Sequence, residues 1–222
     1  MKKIVLLFPF FYILQLLGAD AQAQRKEEVS IREFVTQFYI HGIPANEAEK
    51  YSSQDVPVLA AMLKDPVYQK SWMNIVIVLG YIGSSKATKP LVQFVDSQQG
   101  EISVETFRAV LYVFQSLGHI ARKDSDKQAL KALEDYLSLD SWKTKDLHFS
   151  FSRYRNEALS EVLARQAIQG LGVSGKPEAN RALSDLRKSK DLRSDWVDNV
   201  DEAISRNSAI QARGVEKTLN RK

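Results

Sequence analysis

The amino-acid sequence predicts an all-α chain, an α-α superhelix of about four helix pairs. Two observations carry the prediction: a short motif that returns along the chain, and helical periodicity ahead of every copy. Leu79-Gly80-Tyr81-Ile82-Gly83 returns as Leu117-Gly118-His119-Ile120 and again as Leu171-Gly172-Val173. Three residues before each Leu stand Val76, Phe114 and Ile168; four before stand Ile75, Val113 and Ala167; seven before stand Trp72, Val110 and Ala164. Apolar residues at those offsets share one helix face. Further on, Ala87 and Leu91 follow Gly80 at the same offsets as Ala179 and Leu183 follow Gly172, while Ala129 and Leu133 arrive four residues late. Each unit therefore reads as helix, turn and second helix, with the motif glycine placed in the turn, where a positive φ ends a helix.

The elements follow in order. Met1-Lys2-Lys3 is a short basic start, and Ile4 to Leu17 is an apolar run broken only by Pro9 and Gln15. Ala19-Asp20-Ala21 and Ala21-Gln22-Ala23 then offer small-x-small cleavage patterns. This predicts a signal peptide over 1–23, cut after Ala21 or Ala23, and a periplasmic or secreted mature chain. The run is shorter than the roughly 20 apolar residues a span requires, so no membrane span is expected after cleavage. A partial unit comes next. Ser30-Ile31-Arg32-Glu33 reads as a capping box opening a helix through Phe34, Val35, Phe38 and Tyr39, and Asp55 to Leu63 is its second helix. The helix over Ser71–Ile82 is apolar nearly all round and must be covered on several sides, which places it inside a stack. Asp195 to Ile204 makes a last amphipathic helix on Trp196, Val197, Val200 and Ile204. The repeat region is thus 24–206, and the polar residues 207–222 read as a fraying tail.

Helix pairs of about 40 residues carrying Leu-Gly-x-Ile-Gly-x-x-x-Ala-x-x-x-Leu, as at Leu79–Leu91, resemble HEAT repeats. The likeness is to the short bacterial type, also found in phycobilisome-lyase-like proteins, and it extends over about Val56 to Ser189. The resemblance implies an armadillo-like solenoid whose second helices line a concave, ligand-binding surface. No cofactor is expected.

Composition narrows the function further. Of 222 residues, 31 are Lys or Arg and 27 Asp or Glu, a formal net charge of +4, too balanced for nucleic-acid binding by bulk charge. No cysteine is present, which excludes disulfides, thiolate metal sites and a Cys nucleophile. His41, His119 and His148 lack a second ligand at helical spacing, so no metal is expected. Asp124-Ser125-Asp126 begins like a calcium loop, but Ala129 stands where that loop requires Gly, and these acids read as caps of the following helix. No nucleophile elbow, phosphate loop or other catalytic motif is present, so no enzyme is expected.

Two patterns nominate binding residues. Setting Leu91, Leu133 and Leu183 equivalent aligns Lys89, Lys131 and Arg181 in one row, two residues earlier and so turned away from the core. The row reads either as a basic ladder for an acidic peptide or anionic polymer, or as solvated partners of Asp135 and Asp185 four residues on. The second pattern is an irregular insertion at about 139–155, where aromatics alternate with small or basic residues in the period of an extended strand. It either covers a gap in the stack or presents Trp142, Tyr154 and Arg155 to a partner. The sequence thus predicts an exported, non-catalytic scaffold that binds a protein or peptide through a concave face. The alternative is an anionic-ligand binder, of envelope glycan or another polyanion.

Overall fold

The structure, a computed structural model, describes residues 29–148 and 156–214, and side chains there except at 156–158. The predicted signal peptide, Tyr154 and Arg155 lie outside the described residues. All that follows concerns the compact unit that begins at Ile31.

Among the described residues the chain is all-helical and has no strand. The α-helices are α1 (Ile31–Thr36), α2 (Ala45–Ala48), α3 (Val56–Met62), α4 (Trp72–Ile82), α5 (Thr88–Asp96), α6 (Val104–Asp124), α7 (Lys127–Asp135), α8 (Leu139–Lys143), α9 (Asn156–Ser174), α10 (Pro177–Lys188) and α11 (Val197–Arg213). No described helix is long and apolar enough to cross a membrane. The longer helices alternate between two sets. The first helices lie side by side in chain order, α4 on α6, α6 on α9 and α9 on α11. The second helices pack against them, α5 on α6, α7 on α6 and α9, and α10 on α9 and α11. Leu79, Leu117 and Leu171 are fully buried in the first set, and Leu91, Leu133 and Leu183 are fully buried in the second.

Helix starts follow local chemistry. The Ser103 hydroxyl accepts from the Thr106 amide (3.1 Å) to cap α6, and Asp126 accepts from the Gln128 amide (2.8 Å) to cap α7. Pro177 opens α10, where its missing N–H would have had no helical partner anyway. Asp124 acts elsewhere. It accepts from the Ser85 amide (2.7 Å), which ties α6 to the turn before α5, and hydrogen bonding from the Ser85 side chain, then its amide, lowers the Asp124 pKa.

The motif glycines have a different role from the predicted one. Gly80, Gly118 and Gly172 lie inside helices, and the left-handed turn residues are Gly83 (φ 68°), Ser125 (φ 51°) and Gly175 (φ 59°). The motif glycines let first helices approach closely. A Cβ on Gly80 would stand 2.6 Å from Ser116 Oγ, one on Gly118 would strike the Gly170 carbonyl oxygen, and one on Gly172 would stand 3.1 Å from the Ala203 Cα. Closeness brings hydrogen bonds with it, as where Ser116 Oγ donates to the Val76 carbonyl at 2.8 Å.

The offsets also explain the late middle copy. The turn residue follows the motif glycine by three positions in α4 and α9 but by seven in α6. The four added residues are about one helical turn, so α6 grows by roughly 6 Å while its apolar face stays nearly in phase.

Three boundaries depart from the sequence reading. First, α1 stops at Thr36 and leaves Phe38 90% exposed. There the Thr36 hydroxyl donates to the Arg32 carbonyl, and Asn74 of α4 donates to the carbonyls of Val35 (3.0 Å) and Gln37 (3.2 Å), drawing the chain out of the helix. Second, α11 does not fray at Asn207 but runs to Arg213. Asn207 is fully buried and donates to the Leu171 carbonyl (2.9 Å) and Ser174 Oγ (3.2 Å), closing the C-terminal end of α9. Third, the described part of the insertion is not extended. It begins with the helix α8, and its ladder-like contact is a single parallel bridge between His148 and Glu101.

Candidate functional site

A groove of about 630 Å³ opens between α5 and α7 and is closed at one end by the insertion. Helical spacing sets its two walls. Lys89, Val92 and Asp96 recur every three or four residues along α5, as Lys127, Lys131 and Asp135 do along α7. Leu91 and Leu133 hold these faces outward by sitting fully in the core. Val92, Ala132 and Tyr136 supply apolar lining, and Ser141, Thr144 and Lys145 come from the insertion.

The closed end is a polar knot. The Tyr136 hydroxyl donates to Asp96 Oδ1 at 3.1 Å, and Lys145 Nζ donates to Asp96 Oδ1 and to the Asp96 carbonyl, each at 3.2 Å. Burial, then the Asp96 charge, pushes the Tyr136 pKa up, so the hydroxyl stays a donor. The insertion is pinned by backbone as well. Gly100 N donates to the Lys145 carbonyl, His148 N to the Gly100 carbonyl, and Ile102 N to the His148 carbonyl, all at 3.0 Å.

Trp142 requires a correction. It is 1% exposed and cannot anchor a partner. Its ring stacks on Tyr136 (5.1 Å between centroids) and meets Phe114 edge-on (5.9 Å), while its indole N–H donates to the Tyr136 carbonyl at 2.9 Å. An indole there buries more apolar surface than any other residue could, and its one polar atom is satisfied. Trp142 therefore acts from behind, holding Tyr136 in the groove.

The predicted basic row divides. Lys89 and Lys131 face the same groove, but Arg181, exposed on α10, is not among its walls. Lys131 pairs with Asp135 on its own helix, and that hydrogen bond raises the Lys131 pKa. Lys145 pairs with Asp96 at 3.2 Å. Lys89 and Lys127 make no ion pair or hydrogen bond with any described side chain. The groove thus carries two uncommitted positive charges above an apolar lining. Sequence reasoning missed Lys127, although it lies four residues before Lys131 on the same helix face. It also missed Tyr136 and Asp96, which meet across the ends of α7 and α5, and Lys145, which the docked insertion brings to them. Among the described residues, no three His, Asp or Glu side chains gather into a metal site.

The chain matches no protein-family model, no curated protein and no solved structure. The groove's own chemistry is what carries the functional reading.

Proposed function

We propose that the chain is an exported, non-catalytic interaction scaffold, a HEAT-like solenoid that binds an acidic peptide segment of a partner protein along its second helices. One observation carries this reading: Lys89 and Lys127 stand unpaired beside Val92, Ala132 and Tyr136 in one groove. Free ammonium groups attract carboxylates, and an apolar lining rewards side chains between them, so a mixed acidic–apolar peptide suits the groove better than a uniform polyanion. The ordered helix pairs in two sets, with the motif glycines at the close approaches, support the solenoid. The leader-like pattern at 1–23 supports export.

Fluorescence anisotropy with labelled ten-residue peptides of alternating Glu and Leu tests the reading. Micromolar binding is expected, lost in Lys89→Glu/Lys127→Glu while the far-ultraviolet spectrum stays unchanged. Half-molar salt should weaken the complex without abolishing it, because salt screens the charges but not the apolar contact. A second reading, polyanion binding, is favoured by Arg181, which stands exposed on the next second helix. In that case polyglutamate and acidic glycans would bind as tightly as the mixed peptide, and salt would remove all binding. Equal affinity of the double variant and the parent for the mixed peptide would sink the first reading.

A further inference from the structure

The two helices that wall the groove run parallel and in register. At their N-terminal ends the Thr88 hydroxyl donates to Asp126 Oδ2 at 2.5 Å, and at their C-terminal ends the Tyr136 hydroxyl donates to Asp96 Oδ1 at 3.1 Å. Thr88 opens α5 and Asp126 caps α7, while Asp96 ends α5 and Tyr136 follows the last residue of α7. Height along the groove can therefore be read from position in the helix. Lys89 and Lys127 flank the Thr88–Asp126 bond, Val92 and Ala132 stand midway, and Asp96 and Asp135 are the last residues of their helices. The helical rise puts about 12 Å between the two ends.

Charge is distributed unevenly over that length. At the C-terminal end the groove's charges are matched. Lys131 reaches forward to Asp135 at 2.5 Å, and Lys145 of the insertion meets Asp96 at 3.2 Å. Ser141 and Thr144 add hydroxyls beside them. The side chains of Asp96 and Asp135 are still 52% and 57% exposed, so their carboxylates face whatever lies in the groove. At the N-terminal end Lys89 and Lys127 are exposed and carry no ion pair among the described residues. Asp126, next to Lys127 in the chain, is not a wall of the groove. Each of its oxygens already accepts a hydrogen bond, one from the Thr88 hydroxyl and one from the Gln128 amide.

We infer that the groove selects its peptide by charge order: a pair of acidic residues at the Lys89–Lys127 end, an apolar residue over Val92 and Ala132, and uncharged hydroxyl or amide side chains at the Asp96–Asp135 end. The inference rests on the peptide reading of this groove and adds a polarity to it. A carboxylate at the first end meets two ammonium groups with no acid to displace. At the other end it meets two carboxylates whose cations are engaged, and it must break one ion pair to make another. An extended chain advances about 3.3 Å per residue, so about four residues separate the acid pair from the neutral end. An evenly charged polymer would set carboxylates against Asp96 and Asp135, and the same polarity turns it away.

Two capped peptides of identical composition and charge test the order, acetyl-Glu-Glu-Leu-Ala-Leu-Ser-Ser-amide and acetyl-Glu-Ser-Leu-Ala-Leu-Ser-Glu-amide, each titrated calorimetrically into the full chain. The first is expected to bind about fivefold more tightly, the worth of one exposed ion pair. Asp135→Asn frees Lys131 at the far end, so the isomer with divided acids should gain and the gap should close to within about twofold. Lys89→Ala/Lys127→Ala should weaken the first peptide more than the second, since it loses both of its carboxylate contacts. All of these positions are exposed, and an unchanged far-ultraviolet spectrum checks each variant's fold. Equal affinity of the two isomers, or preference for divided acids, with both weakened by the double lysine variant, overturns the polarity and leaves the peptide reading standing. A gap unchanged in Asp135→Asn also overturns it. If neither isomer binds, the peptide reading falls and the polarity with it.

Discussion

The first and second helices of this protein differ in how they meet their neighbours. Between first helices the contact is backbone against backbone, with Gly80 on Ser116, Gly118 on Gly170 and Gly172 on Ala203. Between second helices the contact is looser and polar, with α5 and α7 separated by a groove lined with lysines. Close packing leaves no room to vary a side chain, and a groove requires such room. One set of helices therefore holds the spacing of the units, and the other is left to carry chemistry.

Trp142 is the sharpest test of that division, because it is a deep anchor set among second helices. Trp142→Ala is expected to cost about 3–5 kcal/mol, as for other buried aromatics, with the loss read from the urea midpoint. A cost below 1 kcal/mol would mean that the insertion only rests on the surface.

Gly118→Ala probes the opposite side. Alanine favours a helix over glycine by about 1 kcal/mol, but the added methyl meets a backbone oxygen that cannot swing aside. Overpacking should win, with a net loss of about 2–3 kcal/mol in the same measurement. A stabilised Gly118→Ala would erase the contrast between the two sets.

His119 offers a pH-dependent version. It stacks on Tyr81 at 6.2 Å, and burial, reinforced by Arg122 and Lys123, lowers its pKa from 6.5 to about 4. In the folded chain the imidazole stays neutral between those values, while the unfolded chain takes up a proton. Stability contributed by the neutral ring is therefore present above pH 6.5 and lost as pH falls toward 4. The slope approaches about 1.4 kcal/mol per pH unit and sums to roughly 2–3 kcal/mol. His119→Phe should flatten the stability profile in that window, and an unchanged slope would place the titrating group elsewhere.

Lys131→Ala stands at the small end. Lys131 and Asp135 form an exposed pair on α7, so removing the cation should leave the urea midpoint within error. A clear drop would show that the groove wall is structural after all.

The sequence carried the helix pairs because burial imposes period, and Leu79, Leu117 and Leu171 all stand in the core as their spacing requires. The glycines were placed correctly and understood wrongly. A glycine next to a helix end suggests a turn by its conformation, whereas its closeness to another helix depends on residues far along the chain, such as Ser116 for Gly80 and Gly170 for Gly118. The same limit governs the candidate site. Lys89 and Lys131 could be aligned by repeat register, but Lys145 meets Asp96 because the insertion returns to the α5–α6 connection, which no periodicity encodes. Trp142 was misjudged for a related reason: the alternation around it suggested a surface strand, while Tyr136 and Phe114 provide it with a niche.

The lengthened α6 has one more consequence. Because its corner differs from the other two by about a whole coil, one unit is longer without rotating the residues that tile against the next. Growth or shrinkage by four residues is the natural step at that corner. A change of two would turn Ile120 and Ala121 toward water and oblige the neighbouring unit to find a new fit.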